Sequence, residues 1–554
     1  MYKYNSDNKE NQWKTSLKNI TNDETLQKAI DVFYTQLKLD EANLLENKSV
    51  SDCAYNTPRI TSSIDRKYKI AHLLAYKYYP IDTTKKDQDA QKKWTYMQYQ
   101  RLLARLSKTF VEQTERDEAL KCQYREIRKT DQRKYFCELK KKPLSCSIKN
   151  PTAMPVQVAN IEKLQPFFDH LASNGEVKVP ELEFVSGVQY DDGRMDLCKQ
   201  VVGPPHIGKL MESLLNNTRI EHFLLGNNII GPVGAKAIAD FLINPHKPQI
   251  KTWYLAGNDI DEEGTKLICD ALKTDTVCEA LWLKRNPIKS GVKYLGELLE
   301  VNNTIKVLDM DNTGIEDDGT KHLMQSLKKN TGLKQLYLDA NGISSVGARY
   351  IADYFDHLVA TNRVGITSFW IGINRIDDEG TIILANSLKN YKHLKKLIVN
   401  SNRLSDVGVK ALCDVLVDSR TLKVFDVGIY KSTSDLGELP NNIGDKGARY
   451  VAEFMRKNKT VQIVSVLHNN ISEDGIRIMA EALQESDSIV WFYYEQYGVN
   501  ISQPIRQLIN KKLEENIRKN YGMTIGEFCD TKLKFVKGSK KLKNIDSIYR
   551  NKMK

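Results

Sequence analysis

Apolar residues in this chain are not spread evenly but recur at fixed intervals over more than half its length. The clearest copy is residues 333–355, LKQLYLDANGISSVGARYIADYF, in which Leu333, Leu336, Leu338 and Ile343 are apolar and Asn341 and Gly347 are fixed points. The alternation predicts a short strand, with Leu336 and Leu338 on one face and Gln335, Tyr337 and Asp339 on the other. The run after Gly347 has a helical period and predicts an amphipathic helix. One such strand and helix cannot bury their apolar faces alone, so the copies must stack.

The copies are counted by their Asn. Asn228, Asn258, Asn286, Asn341, Asn374, Asn402 and Asn469 hold the position, Thr313 replaces it once and Tyr497 in the last copy. The steps are 30, 28, 27, 28, 33 and 28 residues as far as Asn402, then 67 to Asn469. That long step holds one more copy, with a strand at 422–427 and a turn at 441–443, split by an insertion over residues 428–440. An Asn amide both donates and accepts, so it suits a turn whose backbone would otherwise be buried unpaired. The glycine suits a close backbone approach or a positive φ.

The period near 28, with Gly-Ala after the turn at Gly234-Ala235, Gly347-Ala348 and Gly447-Ala448, resembles the ribonuclease-inhibitor type of leucine-rich repeat. The resemblance covers roughly residues 182–499. It implies an α/β solenoid, a horseshoe with a parallel sheet inside and helices outside.

Outside the copies the pattern changes. Residues 1–20 are polar and expected to be disordered, and 21–142 read as a helical module with a long, charged stretch from about 88. Pro143, Pro151 and Pro155 mark 143–160 as a linker. Residues 161–219 should cap the first open end of the array: a helix over 161–173, a strand or hairpin over 177–190, and an incomplete first repeat. The repeats then run over 220–500. Pro504 opens a helix with Ile505, Leu508, Ile509, Leu513 and Ile517 on one side, a C-terminal cap over 501–520. Residues 521–554 read as a flexible basic tail.

Charge adds a contrast. Residues 1–150 carry 30 Lys and Arg against 20 Asp and Glu, 501–554 carry 14 against 5, and 151–500 carry 38 against 45. An acidic array between basic flanks permits nucleic-acid or acidic-membrane contact, though solvated surface explains the flanks as well. No run of 18 apolar residues predicts a transmembrane helix, and the opening MYKYNSDNKENQWK lacks the apolar stretch of a secretory signal. Nine Cys without a CxxC pair fit reduced thiols and a cytoplasmic protein, or one delivered into another cell without a classical signal. Cys269 and Cys413 fall on core positions of repeat helices. The N-x-T triplets at Asn216, Asn302 and Asn458 sit between helix and strand and read as loop caps.

Candidate chemistry is thin. Residues 203–209, GPPHIGK, match the spacing of a phosphate-binding loop, but Leu210 stands where a Ser or Thr should hold magnesium and two prolines remove backbone donors. The pattern fits a helix better. The nine His are scattered, and no G-x-S-x-G or dinucleotide fingerprint occurs. The expectation is no enzyme and no cofactor.

Binding should reside where copies differ. The strand position four before each Asn carries Leu224, Tyr254, Trp282, Asp309, Tyr337, Trp370, Ile398, Asp426, Ser465 and Tyr493. Two residues on come others, among them Lys284, Asp311 and Asp339. Rings beside acids suit a protein interface, although they could equally pack on one another across the sheet. The candidate partner-binding residues are Tyr254, Trp282, Asp309, Asp311, Tyr337, Asp339, Trp370, Asp426 and, from the insertion, Tyr430. The insertion, rich in Ser, Thr, Asp and Gly, reads as a surface loop and not as core. The resemblance implies protein recognition on the concave face. Its other members include GTPase activators, which leaves a regulatory role through the repeat rim as the alternative. A nucleic-acid scaffold using the basic flanks comes third.

Overall fold

The structure, a computed structural model, describes residues 143–154, 156–538 and 540–551. The expected disordered start (1–20) and helical module (21–142) lie outside the described residues.

Each repeat is a three-residue strand, a turn and a helix. In the copy with the clearest pattern these are Gln335–Tyr337, the Asn341 turn and Ser345–Ala360. Among the described residues thirteen strands form one sheet in chain order. Neighbours pair parallel from Arg194–Asp196 through Trp491–Tyr493. Only the opening differs: Glu181–Glu183, Val188–Tyr190 and Arg194–Asp196 pair antiparallel, as a hairpin-like start requires. The described residues therefore form an α/β solenoid.

The middle residue of each strand points at the helices. Phe223, Leu281, Leu336, Phe369 and Phe425 are fully buried there, in one cluster with helix residues such as Ile351 and Leu412. The helix Ile161–Ala172 closes the first end with Leu164, Phe167, Phe168 and Leu171. At the far end the helix Gln503–Tyr521, with Pro504 in its first turn, buries Ile505, Ile509 and Leu513.

The turn asparagines form a ladder. Asn258 Nδ2 donates to the Leu225 carbonyl at 2.7 Å, and its own backbone N–H donates to Asn286 Oδ1 at 2.8 Å. The Asn341 N–H donates likewise to Asn374 Oδ1 at 3.0 Å, and the Asn402 N–H to Asn441 Oδ1 at 2.7 Å. In the last copy Gln496, not Tyr497, continues the ladder, its Nε2 donating to the Val466 carbonyl at 3.0 Å. Tyr497 is exposed and stacks on His468 at 3.8 Å between ring centroids. Of the N-x-T triplets, Asn302 and Asn458 are buried and bond turn backbone. In the first triplet that work falls to Asn217 rather than Asn216.

The repeat glycines answer a close approach. Gly347 has an ordinary φ, but a Cβ there would lie 2.5 Å from Asp317 Oδ1. That carboxylate accepts from Gly347 N at 3.0 Å and Ser344 N at 2.8 Å, so an acid opening one helix caps the next. Asp378 repeats the arrangement with Ser405 and Gly408, and Asp406 with Gly444 and Gly447.

Two segments depart from the sequence reading. The insertion over 428–440 is not a loose surface loop. Glu438, 4% exposed, is paired with Arg375 at 2.6 Å and Arg403 at 2.8 Å, and Thr433, 3% exposed, bonds Ser401 at 2.6 Å. Lys431, Ser434 and Asp435 stay exposed, but Glu438 is buried because the guanidinium groups of Arg375 and Arg403, from neighbouring repeats, meet its carboxylate there. The supposed linker also docks. A one-turn helix, Cys146–Lys149, places the Ser147 carbonyl 3.0 Å from Asn312 Nδ2 and the Asn150 side chain 2.7 Å from Lys289 Nζ. The Pro143 carbonyl accepts from Arg375 at 3.0 Å, which ties linker and insertion through one guanidinium.

Candidate functional site

The third residue of each strand points away from the repeat helices. On this far face the parallel register aligns Tyr254 with Trp282, Trp282 with Asp309, Asp309 with Tyr337 and Tyr337 with Trp370. The next strands bring Ile398 and then Asp426. The rings touch. Tyr254 and Trp282 lie 6.4 Å apart between centroids, Trp282 and Tyr337 reach 5.5 Å past the smaller Asp309, and Tyr337 stacks on Trp370 at 3.9 Å. The two readings of these rings are thus not exclusive: they pack across strands and form a continuous apolar strip.

The acids cap the loops that leave the strands. Asp309 accepts from the Asp311 N–H at 3.0 Å, Asp311 from the Asp339 N–H at 2.9 Å, Asp339 from the Gly372 N–H at 2.6 Å and Asp426 from the Gly428 N–H at 3.0 Å. Burial shifts their titration. Desolvation raises Asp309, partly offset by the Lys284 ammonium 3.8 Å away. Desolvation and then the charges of Asp309 and Asp339 push Asp311 well up, while Asp339, raised first by burial, stands at about 7. Tyr430, on the insertion, is 40% exposed and donates its backbone N–H to Ser401 Oγ at 2.9 Å. The structure therefore brings eight of the nine candidates onto one strip and sets Tyr430 beside it.

The expectation of an open, solvent-facing surface is corrected. Tyr254, Trp282, Tyr337 and Trp370 are all under 10% exposed, because residues read as a flexible basic tail lie across them. After Gly522 comes one unbroken helical run, Ile525–Phe528, a π turn over Cys529–Leu533 and Lys534–Lys537, then a 3₁₀ stretch over Lys540–Ile545 and the turn Ile548–Asn551. Phe528 is fully buried with Val490 and Ile517. Ile545 is buried in the far-face cluster, and Leu533, Val536, Leu542 and Tyr549 pack against that cluster.

Basic groups of this strap meet the acids and rings of the sheet. Lys537 Nζ is 3.3 Å from Asp426 and 4.3 Å above the Tyr493 ring, Lys541 pairs with Glu279, and the Arg550 guanidinium lies 4.5 Å over the Tyr254 ring. Lys396, pushed down to about 8 by burial, donates to the Lys537 carbonyl at 3.2 Å. At the first end Arg194 donates to the Asp546 carbonyl at 2.6 Å, and the Gly187 N–H to Tyr549 Oη at 2.9 Å. The strap thus runs from the last strand back to the first. Lys537, Lys541 and Arg550 of this basic flank are directed at its own sheet.

Sequence reasoning missed Lys537, Lys541, Ile545 and Arg550. The signal present was the apolar set Leu533, Val536, Leu542 and Ile545 inside a basic run, which a freely solvated tail does not need. The phosphate-loop-like stretch is the helix Gly203–Ser213, with Lys209 exposed. Among the described residues no group of three or more His, Cys, Asp or Glu is placed to hold a metal ion, and no helix is long and apolar enough to cross a membrane.

A family-model match agrees with the repeat architecture over the segment it covers. Residues 392–413 match a family model described as Leucine Rich repeat. No curated protein matches. Among solved structures, an internalin from Listeria monocytogenes is 15% identical over 66% of this chain and 96% of its own, with a TM-score of 0.33. The actin-binding site 2 of leiomodin-1 is 18% identical over 32% of this chain and 97% of its own, with a TM-score of 0.26. The complex of Rad7 and Elc1 in yeast gives 12% identity over 48% of this chain and 74% of that one, with a TM-score of 0.27. The matched segment and the repeated strand, Asn turn and helix make this a leucine-rich repeat array.

Proposed function

We propose that the chain is a non-enzymatic protein-recognition scaffold that binds a protein partner on the far face of its sheet. One observation carries this reading: that face already seats a peptide segment, the chain's own residues 529–551, through rings, carboxylates and an apolar strip. Large rigid rings beside buried acids are the composition of binding hot spots, where a few anchors supply most of the affinity. Tyr254, Trp282, Tyr337 and Trp370 are the anchors, and Asp309, Asp426 and Glu279 set the charge a partner must match.

The test is capture by the full chain carrying Lys537→Glu, Lys541→Glu and Arg550→Glu, which repels the strap from the sheet. A partner retained by this bait should be lost when Tyr337→Ala and Trp370→Ala are added, with binding weaker by about 1–4 kcal/mol per anchor. Equal retention by both baits removes the far face as the binding surface.

A further inference from the structure

Resting on that reading, we infer that the partner presents a basic amphipathic segment, and that residues 529–551 are its built-in competitor. The sheet states what it selects. Glu279 stands just before the Trp282 strand and Asp426 two strands past Trp370, and the strap answers them with Lys541 and Lys537 while Ile545 packs in the same far-face cluster as the rings. Lys537, Lys541 and Arg550 are the strap's basic side chains that meet acids and rings of the sheet, so the strap is a sample of the charge and spacing this surface accepts.

The strap is held in a way that permits exchange. Beyond Gly538 its elements are short, a 3₁₀ stretch over Lys540–Ile545 and one turn at Ile548–Asn551, far below the roughly 12–15 residues an isolated helix needs. Its ion pairs are partly open to solvent, with the Lys537 side chain 38% exposed and Glu279 40%, so salt screens them. The cover is also incomplete in chemistry. Trp282 Nε1 and Tyr337 Oη are buried without a hydrogen-bond partner among the described residues, and an occupant with an acceptor above these rings would satisfy what the strap leaves unmade. What keeps a modest ligand seated is its tether: Phe528 is locked against Ile517, so the strap samples the sheet at an effective concentration on the order of millimolar. A partner segment must exceed that, and it gains access wherever the strap is weakened.

The experiment uses the full chain and a labelled synthetic peptide with the sequence of residues 529–551, followed by fluorescence anisotropy. The chain carrying Lys537→Glu, Lys541→Glu and Arg550→Glu should bind this peptide at least tenfold more tightly than the unchanged chain, and the affinity should fall as salt rises. A scrambled peptide of the same composition and one with every Lys changed to Glu should not bind. Equal affinity of the two chains, or of the scrambled peptide, overturns the inference. Hydrogen exchange on the unchanged chain gives a second reading free of mutation: excess peptide should speed exchange in 529–551, and unaltered exchange at saturating peptide overturns it. A captured partner that depends on Tyr337 and Trp370 but is not displaced by the basic peptide sinks this inference and leaves the recognition function standing. Peptide binding without any dependence on those rings sinks the recognition reading instead.

Discussion

Asp309, Asp311 and Asp339 occupy successive strands and the loops just past them, and each accepts a backbone N–H that would otherwise be unpaired. Their burial has a measurable sign. Asp339 holds its proton to about 7, above its ordinary value of 3.8, so between those values the folded chain binds a proton that the unfolded chain has lost. That contribution to stability is therefore lost as pH rises toward and through 7. The imidazoles of His170 and His222, lowered by desolvation, tilt stability the other way below the usual histidine range, so the comparison must be with a variant. Asp339→Asn keeps an acceptor for Gly372 and removes the titration. Its melting temperature should fall less than that of the unchanged chain between pH 5 and 8, and parallel profiles would show that Asp339 ionises normally. The rings carry a second expectation. Trp370→Ala removes the face on which Tyr337 stacks and should cost about 3–5 kcal/mol in unfolding by urea, since it empties a buried site. A cost under about 1 kcal/mol would mean the stack contributes only at an interface.

At the scale of elements, the insertion over 428–440 gives the sharpest case. Glu438 sits between two guanidinium groups, one of them on Arg403, which is 4% exposed. Glu438→Ala leaves Arg403 buried without that carboxylate, and breaking a buried pair from one side costs about 3–5 kcal/mol. Replacing residues 430–439 by Gly-Ser should therefore destabilise the array and loosen the docked Cys146–Lys149 turn; a shortened chain with an unchanged melting temperature would refute this. The sequence read the insertion as surface because its composition is polar, and composition does not reveal that Arg375 and Arg403 come from other repeats to meet it. What was legible was whatever recurred. Leu336, Asn341 and Gly347 declare their roles because each has counterparts a fixed distance away, and the alternation alone placed Tyr337 and Trp370 on one face. Gln496 shows the limit: the ladder position slipped by one residue in the last copy, where no further repeat constrains the spacing.

At the largest scale, two of the three apolar clusters among the described residues do different work. The larger one lies between sheet and helices and is closed at both ends by caps, while the smaller lies on the opposite face and is completed only by the strap. That division could not be read from the chain, because Tyr549 meets Gly187 and Arg550 meets Tyr254 across hundreds of residues with no repeat to signal the pairing. It does determine how the parts should respond when separated. The array's strands and helices are paired without the strap, so reversing the charges of Lys537, Lys541 and Arg550 should leave its cooperative unfolding by urea within about 1–2 kcal/mol of the original, as for lost surface pairs and one buried Ile545. The far face should change far more. Trp282 and Trp370 would pass from under 10% exposure to contact with water, shifting tryptophan emission to the red, and the uncovered rings should bind an apolar dye. Raising salt to about 1 M, where the screening length falls to roughly 3 Å, should produce part of the same shift in the unchanged chain. Red-shifted emission with the array still folded is the outcome that separates a cover from a core. If emission stays put in the reversed chain, the strap is held by its apolar contacts alone; if the array unfolds with it, the strap is part of the fold and no surface lies beneath it to be exposed.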